Sequence, residues 1–186
     1  MKWYIYDDSG DNYTKILDHN TTARIKWNDD NINVSYEESN LYETVQDLKT
    51  TSGWKVQPRL ITAEEIAIIT GKTGFDSTKT SSWYYLDTLD FSNKRSKYDW
   101  LYNNLNLCKT ATTDYGCSIE DNNIYTGYGT AESGKTMGYW TSTTVGIANS
   151  GSLIWRMCRD SSIGYVASTD DYGIRPVITI SKSIIK

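Results

Sequence analysis

The sequence predicts a mixed α+β fold in one domain. Three observations predict it: both chain ends alternate apolar and polar residues as strands do, two capping-box segments with helical periodicity lie between them, and the second half is rich in turn residues. The chain has 186 residues, a length that favours a single domain with its own core. We therefore expect one domain over residues 1–186.

The N-terminal residues predict a β-hairpin and a third strand. Residues 2–7 alternate, turn formers fill residues 8–12, and residues 13–17 alternate again. Residues 22–27 form a further extended segment. The chain should therefore begin with strands.

Two helices are predicted next. Residues 35–38 spell a capping box, and the apolar residues that follow recur at helical spacing, which predicts a first helix over residues 36–50. Residues 62–65 spell a second capping box ahead of an apolar helical face, and Gly71 is a typical residue to end that helix.

The middle of the chain is less regular. Residues 72–97 are typical of loops around a short aromatic strand at residues 83–86, and residues 98–107 are a candidate short helix. Residues 108–136 are rich in Gly, Thr and Asn with little periodicity. An irregular segment of this length inside a compact domain is usually functional or mobile.

Residues 153–158 predict a half-buried strand. Their odd-numbered positions hold Leu, Trp and Met, whereas the even-numbered positions hold Ile, Arg and Cys. We expect the odd positions to face the core, so that Arg156 and Cys158 face outward.

A β-branched run at residues 174–180 predicts the last strand, with Pro176 near its start because proline cannot donate to a ladder. Residues 148–152, 159–164 and 168–173 are rich in Gly, Ser, Asn and Asp and are interpreted as turns.

These motifs together resemble bacterial domains with the C-type lectin-like fold. The residues that carry the resemblance are Tyr139, Trp140, Thr141, Ser142, Trp155, Gly173, Arg175 and Pro176, with residues 58–65 upstream. The similar proteins are surface or pilin-associated domains, formylglycine-generating-enzyme-like modules and the variable proteins of diversity-generating retroelements. The resemblance implies paired N- and C-terminal strands, two flanking helices and an irregular C-terminal half rich in strands and turns.

The resemblance also implies a function. We expect a non-enzymatic, receptor-binding or adhesin-like domain at a bacterial or phage surface, with a protein or carbohydrate ligand on another surface. It implies an extracellular location, as an excised domain without its leader or anchor. A structural domain of a pilus-like fibre is the alternative, and a formylglycine-generating-enzyme-like or other enzyme is the third.

In the retroelement-diversified relatives the late region displays the ligand-contacting side chains. Here this region mixes Tyr, Ser, Arg and Asp as binding loops do, although ordinary solvated turns are the alternative. The candidate ligand-binding residues are Arg156, Cys158, Arg159, Asp160, Ser162, Tyr165, Ala167, Thr169, Asp170, Asp171 and Tyr172.

Composition limits the partners. The formal net charge is −4 and the sequence has no basic block, so nucleic acid is not expected as a partner. No apolar run is long enough to cross a bilayer, so membrane insertion is not expected either. The 15 Tyr and 7 Trp against 2 Phe suit binding surfaces, although burial is the commoner fate of a large ring.

The three cysteines leave alternatives open. Cys108 and Cys117 flank a short loop and are candidates for a disulfide in an oxidising compartment, with two reduced thiols as the alternative. Cys158 has no evident partner in the sequence.

Several motifs that suggest other chemistry lack the context they need. Residues 129–136 match the phosphate-binding pattern GxxxxGK[ST], but no apolar strand precedes them and no helix follows. Residues 27–29 spell the WND of calcium-binding lectins without the partner loop, and nothing fixes the convergence of the acidic pairs 29–30 and 170–171. The sequence contains no GxSxG nucleophile elbow, so it offers no serine that His19 could activate as a general base. We therefore expect no catalysis, metal or cofactor.

Overall fold

The computed structural model describes residues 2–18, 21–29, 35–86, 98–102, 138–145, 153–158 and 162–184. In chain order the elements are β1 (Trp3–Asp7), β2 (Asn12–Leu17), β3 (Thr22–Lys26), α1 (Asn40–Thr51), α2 (Ala63–Thr70), β4 (Tyr84–Tyr85), α3 (Asp99–Tyr102), β5 (Gly138–Thr144), β6 (Leu153–Cys158), β7 (Ser162–Ala167), β8 (Asp171–Ile174) and β9 (Val177–Ser181). The mixed α+β prediction is confirmed. Features predicted outside the described residues are His19, Cys108, Cys117, the string 129–136, Arg159 and Asp160.

The two ends of the chain share one three-stranded antiparallel sheet, called here the terminal sheet. Its strand order is β1-β2-β9, with Ile5 opposite Lys15 and Ile16 opposite Val177. The last strand therefore pairs with the second strand of the N-terminal hairpin and not with the first. Pro176 precedes β9, and its carbonyl accepts the N–H of Leu17 at 2.9 Å, as expected for a proline at a strand's start.

The other strands form a six-stranded sheet in the order β3-β8-β5-β6-β7-β4. Neighbouring strands are antiparallel except β5 and β8, which run parallel and meet at Tyr139 and Gly173. The interpretation of residues 159–164 and 168–173 as turns was therefore wrong in part, because β7 and β8 occupy much of both segments. Glycine at positions 164 and 173 weakens the strand signal without preventing pairing.

Both capping boxes are present. The box at Ser35 and Glu38 opens a 3₁₀ turn over Tyr36–Glu38, and α1 begins two residues later with Ser39 as its cap. The second box starts α2: Thr62 accepts the N–H of Glu65 at 3.0 Å, and the helix ends at Gly71 with a φ of 68°. Within the described residues no helix has the length and apolar character needed to cross a membrane.

The six-stranded sheet is covered on both faces. On one face Trp27, Trp140, Ile154 and Tyr172 pack against Leu41, Val45 and Leu48, which forms the α1-side core. On the other face Tyr139, Trp155, Met157 and Ile163 pack against Ile66 and against Ile16 and Val177 of the terminal sheet, which forms the α2-side core.

Double coverage corrects the sequence-based expectation for β6. Trp155 and Met157 are fully buried as predicted, but Ile154 is also fully buried and Cys158 is only 6% exposed. Cys158 therefore does not face solvent. The strand pattern predicts which residues share a face, but whether the second face is covered depends on α1, which lies about a hundred residues earlier in the chain.

A fully buried arginine ties the two sheets together. The Arg175 guanidinium donates to the carbonyls of Leu17 (2.6 Å), Leu101 (2.6 Å) and Trp100 (2.5 Å), and lies 5.3 Å from the centre of the Tyr139 ring. Burial lowers the pKa of Arg175 and raises the pKa of Tyr139 to about 12. Arg175 therefore has a structural role in joining β2, α3 and β5.

Next to this arginine, Gly138 starts β5 under a steric constraint. Its φ is 155°, and a Cβ at this position would lie 1.7 Å from the carbonyl oxygen of Met157. Only glycine allows β5 and β6 to approach each other this closely at Gly138.

Candidate functional site

Part of the predicted ligand-binding set lies on the α1-side face of the sheet. Arg156 lies over the Tyr172 ring, with its guanidinium carbon 4.6 Å from the ring centre, and donates a hydrogen bond to the sulfur of Cys158. The Nε of Arg156 is buried and has no hydrogen-bond partner within the described part of the chain. Tyr172 is 6% exposed and Ser162 is 8% exposed. Among these residues only Arg156 reaches solvent to an appreciable extent.

Two other predicted residues lie on the opposite face. Tyr165 stacks edge-on against Trp155 at 5.7 Å, and Ala167 stands opposite Leu153 on the same side. Both side chains are half-buried. The structure therefore does not bring Tyr165 and Ala167 together with Arg156, because successive strand residues point to opposite faces.

The exposed members of the predicted set lie at the turn between β7 and β8. Thr169 and Asp170 are exposed, and Asp171 is partly exposed where β8 begins. The N–H of Asp170 donates to the carbonyl of Ala167 at 3.0 Å, which closes the turn. Among the described members of the predicted set, Thr169 and Asp170 of this turn are the exposed ones, whereas Ser168 at its start is buried.

The WND tripeptide lies beside this turn. The backbone N–H groups of Trp27 and Asn28 donate to the carbonyl of Ser168 at 3.1 and 3.3 Å, and Lys26 stands opposite Asp171 across β3 and β8. The fold thus brings together two segments whose convergence the sequence could not predict. Among the described residues no cluster of three or more His, Cys, Asp or Glu side chains has the arrangement of a metal site.

A cleft of about 530 Å³ opens on another part of the molecule. It lies between the start of α1, the start of α2 and β5. Its lining residues are Tyr36, Glu37, Tyr42, Gln46, Gln57, Pro58, Arg59, Thr62, Glu65 and Ser142. Its volume lies in the range typical of small-ligand sites.

The bridging segment, residues 57–62, builds one wall of this cleft. Arg59 exchanges two backbone hydrogen bonds with Val177 of β9, at 2.9 and 2.8 Å. Two residues later the carbonyl of Ile61 accepts the N–H of Ser142 at 3.0 Å. The segment therefore holds the terminal sheet and the six-stranded sheet at the same time, which fixes the cleft wall.

At the base of this wall Arg59 and Glu65 form an ion pair, and every acceptor position of the Glu65 carboxylate is used. Glu65 Oε1 accepts from the Tyr6 hydroxyl (3.0 Å) and Arg59 Nη2 (2.6 Å), and Oε2 accepts from Arg59 Nη1 (2.7 Å) and the N–H of Thr62 (2.9 Å). A carboxylate offers about four acceptor positions, so Glu65 has none left for a ligand.

The charges of this network stabilise one another. Burial acts to raise the pKa of Glu65, but the Arg59 guanidinium and the Thr62 N–H outweigh it and hold the pKa below its usual range. Burial likewise acts to lower the pKa of Arg59, and its partners outweigh this and raise it. Burial and the Glu65 charge raise the pKa of Tyr6. Glu65 is therefore ionised at neutral pH and is not poised as a general acid.

Two tyrosines form the aromatic side of the cleft. The rings of Tyr36 and Tyr42 are perpendicular, with centroids 5.2 Å apart and an interplanar angle of 89°. Tyr36 is 8% exposed, and its buried hydroxyl has no hydrogen bond of normal geometry. Burial raises the pKa of Tyr36.

A series of ring contacts connects the cleft with Arg156. Successive centroids are 5.2, 5.7, 5.9 and 4.9 Å apart along Tyr42, Tyr36, Trp27, Trp140 and Tyr172. These separations are typical of favourable aromatic pairs. The cleft and the predicted ligand-binding residues on the α1-side face are therefore joined by continuous packing.

The cleft was missed by the sequence analysis. Residues 58–65 were singled out only for the capping box and for the family resemblance, and Gln46 and Gln57 carry no pattern at all. The spacing of Arg59 and Glu65 around a helix start was the one available signal. Their pairing depends on the bridging segment being held by two sheets.

No protein-family model, curated protein or solved structure matches the chain. The resemblance to C-type lectin-like domains rests on the residues quoted above. The functional proposals below rest on that resemblance and on the geometry of the described residues.

Proposed function

We propose that the chain is a non-enzymatic ligand-recognition domain of C-type lectin-like architecture, displayed at a bacterial or phage surface. It binds a protein or carbohydrate ligand on another surface. The observation that carries this proposal is the turn between β7 and β8, whose residues Thr169 and Asp170 are exposed at the end of a sheet that is covered on both faces. The shared terminal sheet and the two capped helices agree with the architecture.

The rigidity of the frame supports a recognition role. Trp140 and Trp155 lie on opposite faces of the sheet and are both fully buried. Their indole N–H groups donate to the carbonyls of Ile25 (2.7 Å) and Ser77 (2.8 Å). A frame fixed in this way tolerates changes in an exposed turn, which is how binding loops are usually held.

The turn supplies the contact groups. Thr169 and Asp170 are exposed, and the partly exposed Asp171 follows them at the start of β8. They offer hydroxyl and carboxylate groups, and the partly exposed Arg156 of β6 lies over the ring of Tyr172, the residue after Asp171. The buried residues Cys158, Ser162 and Tyr172 support the surface and do not contact the ligand.

Binding to arrays of glycans and of bacterial and host surface proteins tests the proposal. We expect the double variant T169A/D170A to lose binding to whichever ligand the wild type selects. The matched control D47A/T50A changes exposed residues of the same types on α1 and should bind normally. Equal binding by both variants would contradict the proposal. A wild type that binds nothing, in a parent protein that needs this domain for fibre assembly, would favour the structural alternative.

Retroelement diversification can be tested separately in DNA. It predicts a near-repeat of the coding region beside the gene, differing mainly at adenines, with the changed codons concentrated at the exposed residues 169–171. A gene without such a repeat would reject diversification and leave the recognition proposal to the binding experiment.

A further inference from the structure

We propose that the cleft between α1, α2 and β5 is a second binding site, and that it takes the guanidinium or ammonium group of a basic peptide side chain. The cleft lies apart from the turn at residues 168–171, so this proposal does not depend on the one above. It rests on which polar groups of the cleft are already used and which remain.

Arg59, the one cation among the described lining residues, is already held by its hydrogen bonds. Two Arg59 Nη atoms together donate to both oxygens of Glu65, to the Leu60 carbonyl at 2.8 Å and to the Tyr6 hydroxyl at 3.4 Å. Only the Nε–H of Arg59 is left, and Glu65 accepts four hydrogen bonds. The pair is electrically neutral, so it forms a polar wall that neither attracts an anion strongly nor offers a free carboxylate.

The remaining charge is negative. Glu37 lines the cleft, is exposed, and has no hydrogen bond or ion pair to any residue that the structure describes. With the Arg59–Glu65 pair neutral, the lining carries a net charge of −1, and the whole chain carries −4. The local potential therefore favours a cation over an anion or an uncharged ligand.

The aromatic side of the cleft favours the same ligand. Tyr42 is half-buried and lines the cleft together with Glu37, and its ring is held edge-to-face against Tyr36. A cation over a tyrosine face gains about 0.5–1 kcal/mol at an exposed site. A carboxylate and an aromatic ring in the lining of one cleft are a combination that suits guanidinium and ammonium groups.

Two amides add directional contacts. The Nε2 of Gln57 donates to the backbone carbonyl of Gln46 at 3.2 Å, which fixes the Gln57 side chain. Its amide oxygen and the side-chain amide of Gln46 have no hydrogen bonds within the described part of the chain. A guanidinium, with five N–H donors, matches acceptors of this kind better than a single point charge. A cleft of about 530 Å³ also has room for the flanking peptide groups.

Titration followed by ¹H–¹⁵N chemical shifts of α1 tests the proposal. The probe is N-acetyl-arginine-N-methylamide, and its neutral isostere N-acetyl-citrulline-N-methylamide is the matched ligand control. We expect the arginine probe to bind with fast exchange, more weakly at high salt, and the citrulline probe to bind about fivefold to twentyfold more weakly. The lysine analogue should bind between the two.

Variants locate the site. E37Q should weaken the arginine probe about twofold to fivefold, whereas E43Q removes the same charge from an exposed position on α1 outside the cleft and should leave affinity unchanged. Y42L should also weaken binding, and T169A/D170A should not. Equal binding of the arginine and citrulline probes, equal effects of E37Q and E43Q, or binding of methyl α-glucoside but not of arginine would overturn the proposal.

Discussion

Two arginines join the terminal sheet to the rest of the molecule in opposite ways. Arg175 is fully buried, and its hydrogen bonds go to neutral carbonyls. Arg59 is partly exposed and forms a bidentate ion pair with Glu65. The Arg175 junction, which includes Tyr139 and Gly138, depends on a guanidinium charge that is shielded from solvent. The Arg59 junction keeps contact with solvent and borders a cleft.

This difference in burial indicates that the Arg175 junction stabilises the fold, whereas the Arg59 junction can take part in binding. Removal of this buried cation would take a donor from each of three carbonyls, and among the described residues only the Leu101 carbonyl would keep another, the Tyr139 hydroxyl. The Arg175 junction is therefore strongly stabilising and intolerant of change. At the Arg59 junction water can replace a lost partner, so changes there are milder. Surfaces of the second kind can vary in function without loss of the fold.

The largest effect is expected at the Arg175 junction, for Gly138→Ala. The added Cβ would lie 1.7 Å from the carbonyl oxygen of Met157, so β5 and β6 must separate at the point where the Tyr139 ring meets Arg175. We expect a loss of unfolding free energy on the order of 4–5 kcal/mol, measured by urea denaturation.

The control for this change is Gly53→Ala. Gly53 has a φ of 67° but no neighbouring atom within 4 Å of an added Cβ, so only backbone strain of roughly 1–2 kcal/mol is expected. Similar losses for the two variants would show that the approach of β5 to β6 is not under steric constraint.

Arg175→Met should cause the next largest loss of unfolding free energy. The variant reproduces only the aliphatic stem of the arginine and removes its donors to Leu17, Trp100 and Leu101, and we expect a loss of about 3–5 kcal/mol. Denaturant midpoints of wild type and variant measure it. A variant as stable as wild type would mean that the junction is held by packing alone.

Glu65→Gln should have a smaller effect. The variant keeps the shape of the side chain but breaks the charge pairing with Arg59 and weakens the capping box at Thr62, for a loss of about 1–2 kcal/mol. A double-mutant cycle with Arg59→Met measures the pairing itself. A coupling near zero would remove the basis for treating the Arg59–Glu65 pair as a unit.

The smallest effect is a dependence on pH that the Arg59 junction should show more strongly than the Arg175 junction. The pKa of Glu65 is lower in the folded protein than in the unfolded chain, so its contribution is complete above about pH 4.3 and is lost as pH falls through the folded value. Arg175 stays charged throughout.

Unfolding free energies of wild type and Glu65→Gln, measured from pH 7 to pH 3, isolate the effect. The difference between them should shrink toward acid. The difference between wild type and Arg175→Met should change less over the same range, because the hydrogen bonds of Arg175 go to neutral carbonyls and the Asp18 charge makes only a minor contribution to its pKa. A constant difference for Glu65→Gln would contradict the lowered pKa.

The sequence predicted local structure better than it predicted which faces of the sheets are covered by other elements. Ser35, Glu38, Thr62 and Glu65 mark helix starts because capping is a local interaction. Pro176 marks the start of the last strand for an equally local reason. These elements could be located without knowledge of the fold.

The coverage of β6 and the cleft could not be predicted in this way. The alternation of Trp155 with Arg156 separates two faces but does not say that α1 covers the second one. Tyr172 is buried in the α1-side core for that reason, and Tyr165 is directed away from Arg156. The cleft arises where the bridging segment meets two sheets, and such long-range contacts leave no periodic pattern.

The series of rings between Tyr42 and Tyr172 gives the protein an internal optical reporter. Trp27 and Trp140 have ring centroids 5.9 Å apart and lie between tyrosines on either side, so energy absorbed by Tyr42 or Tyr36 transfers efficiently to the two indoles. We therefore expect tryptophan emission excited through tyrosine to change when either end of the series is perturbed. Because the chain has 15 Tyr and 7 Trp, a change on ligand addition would report occupancy of the cleft where Y42L abolishes it.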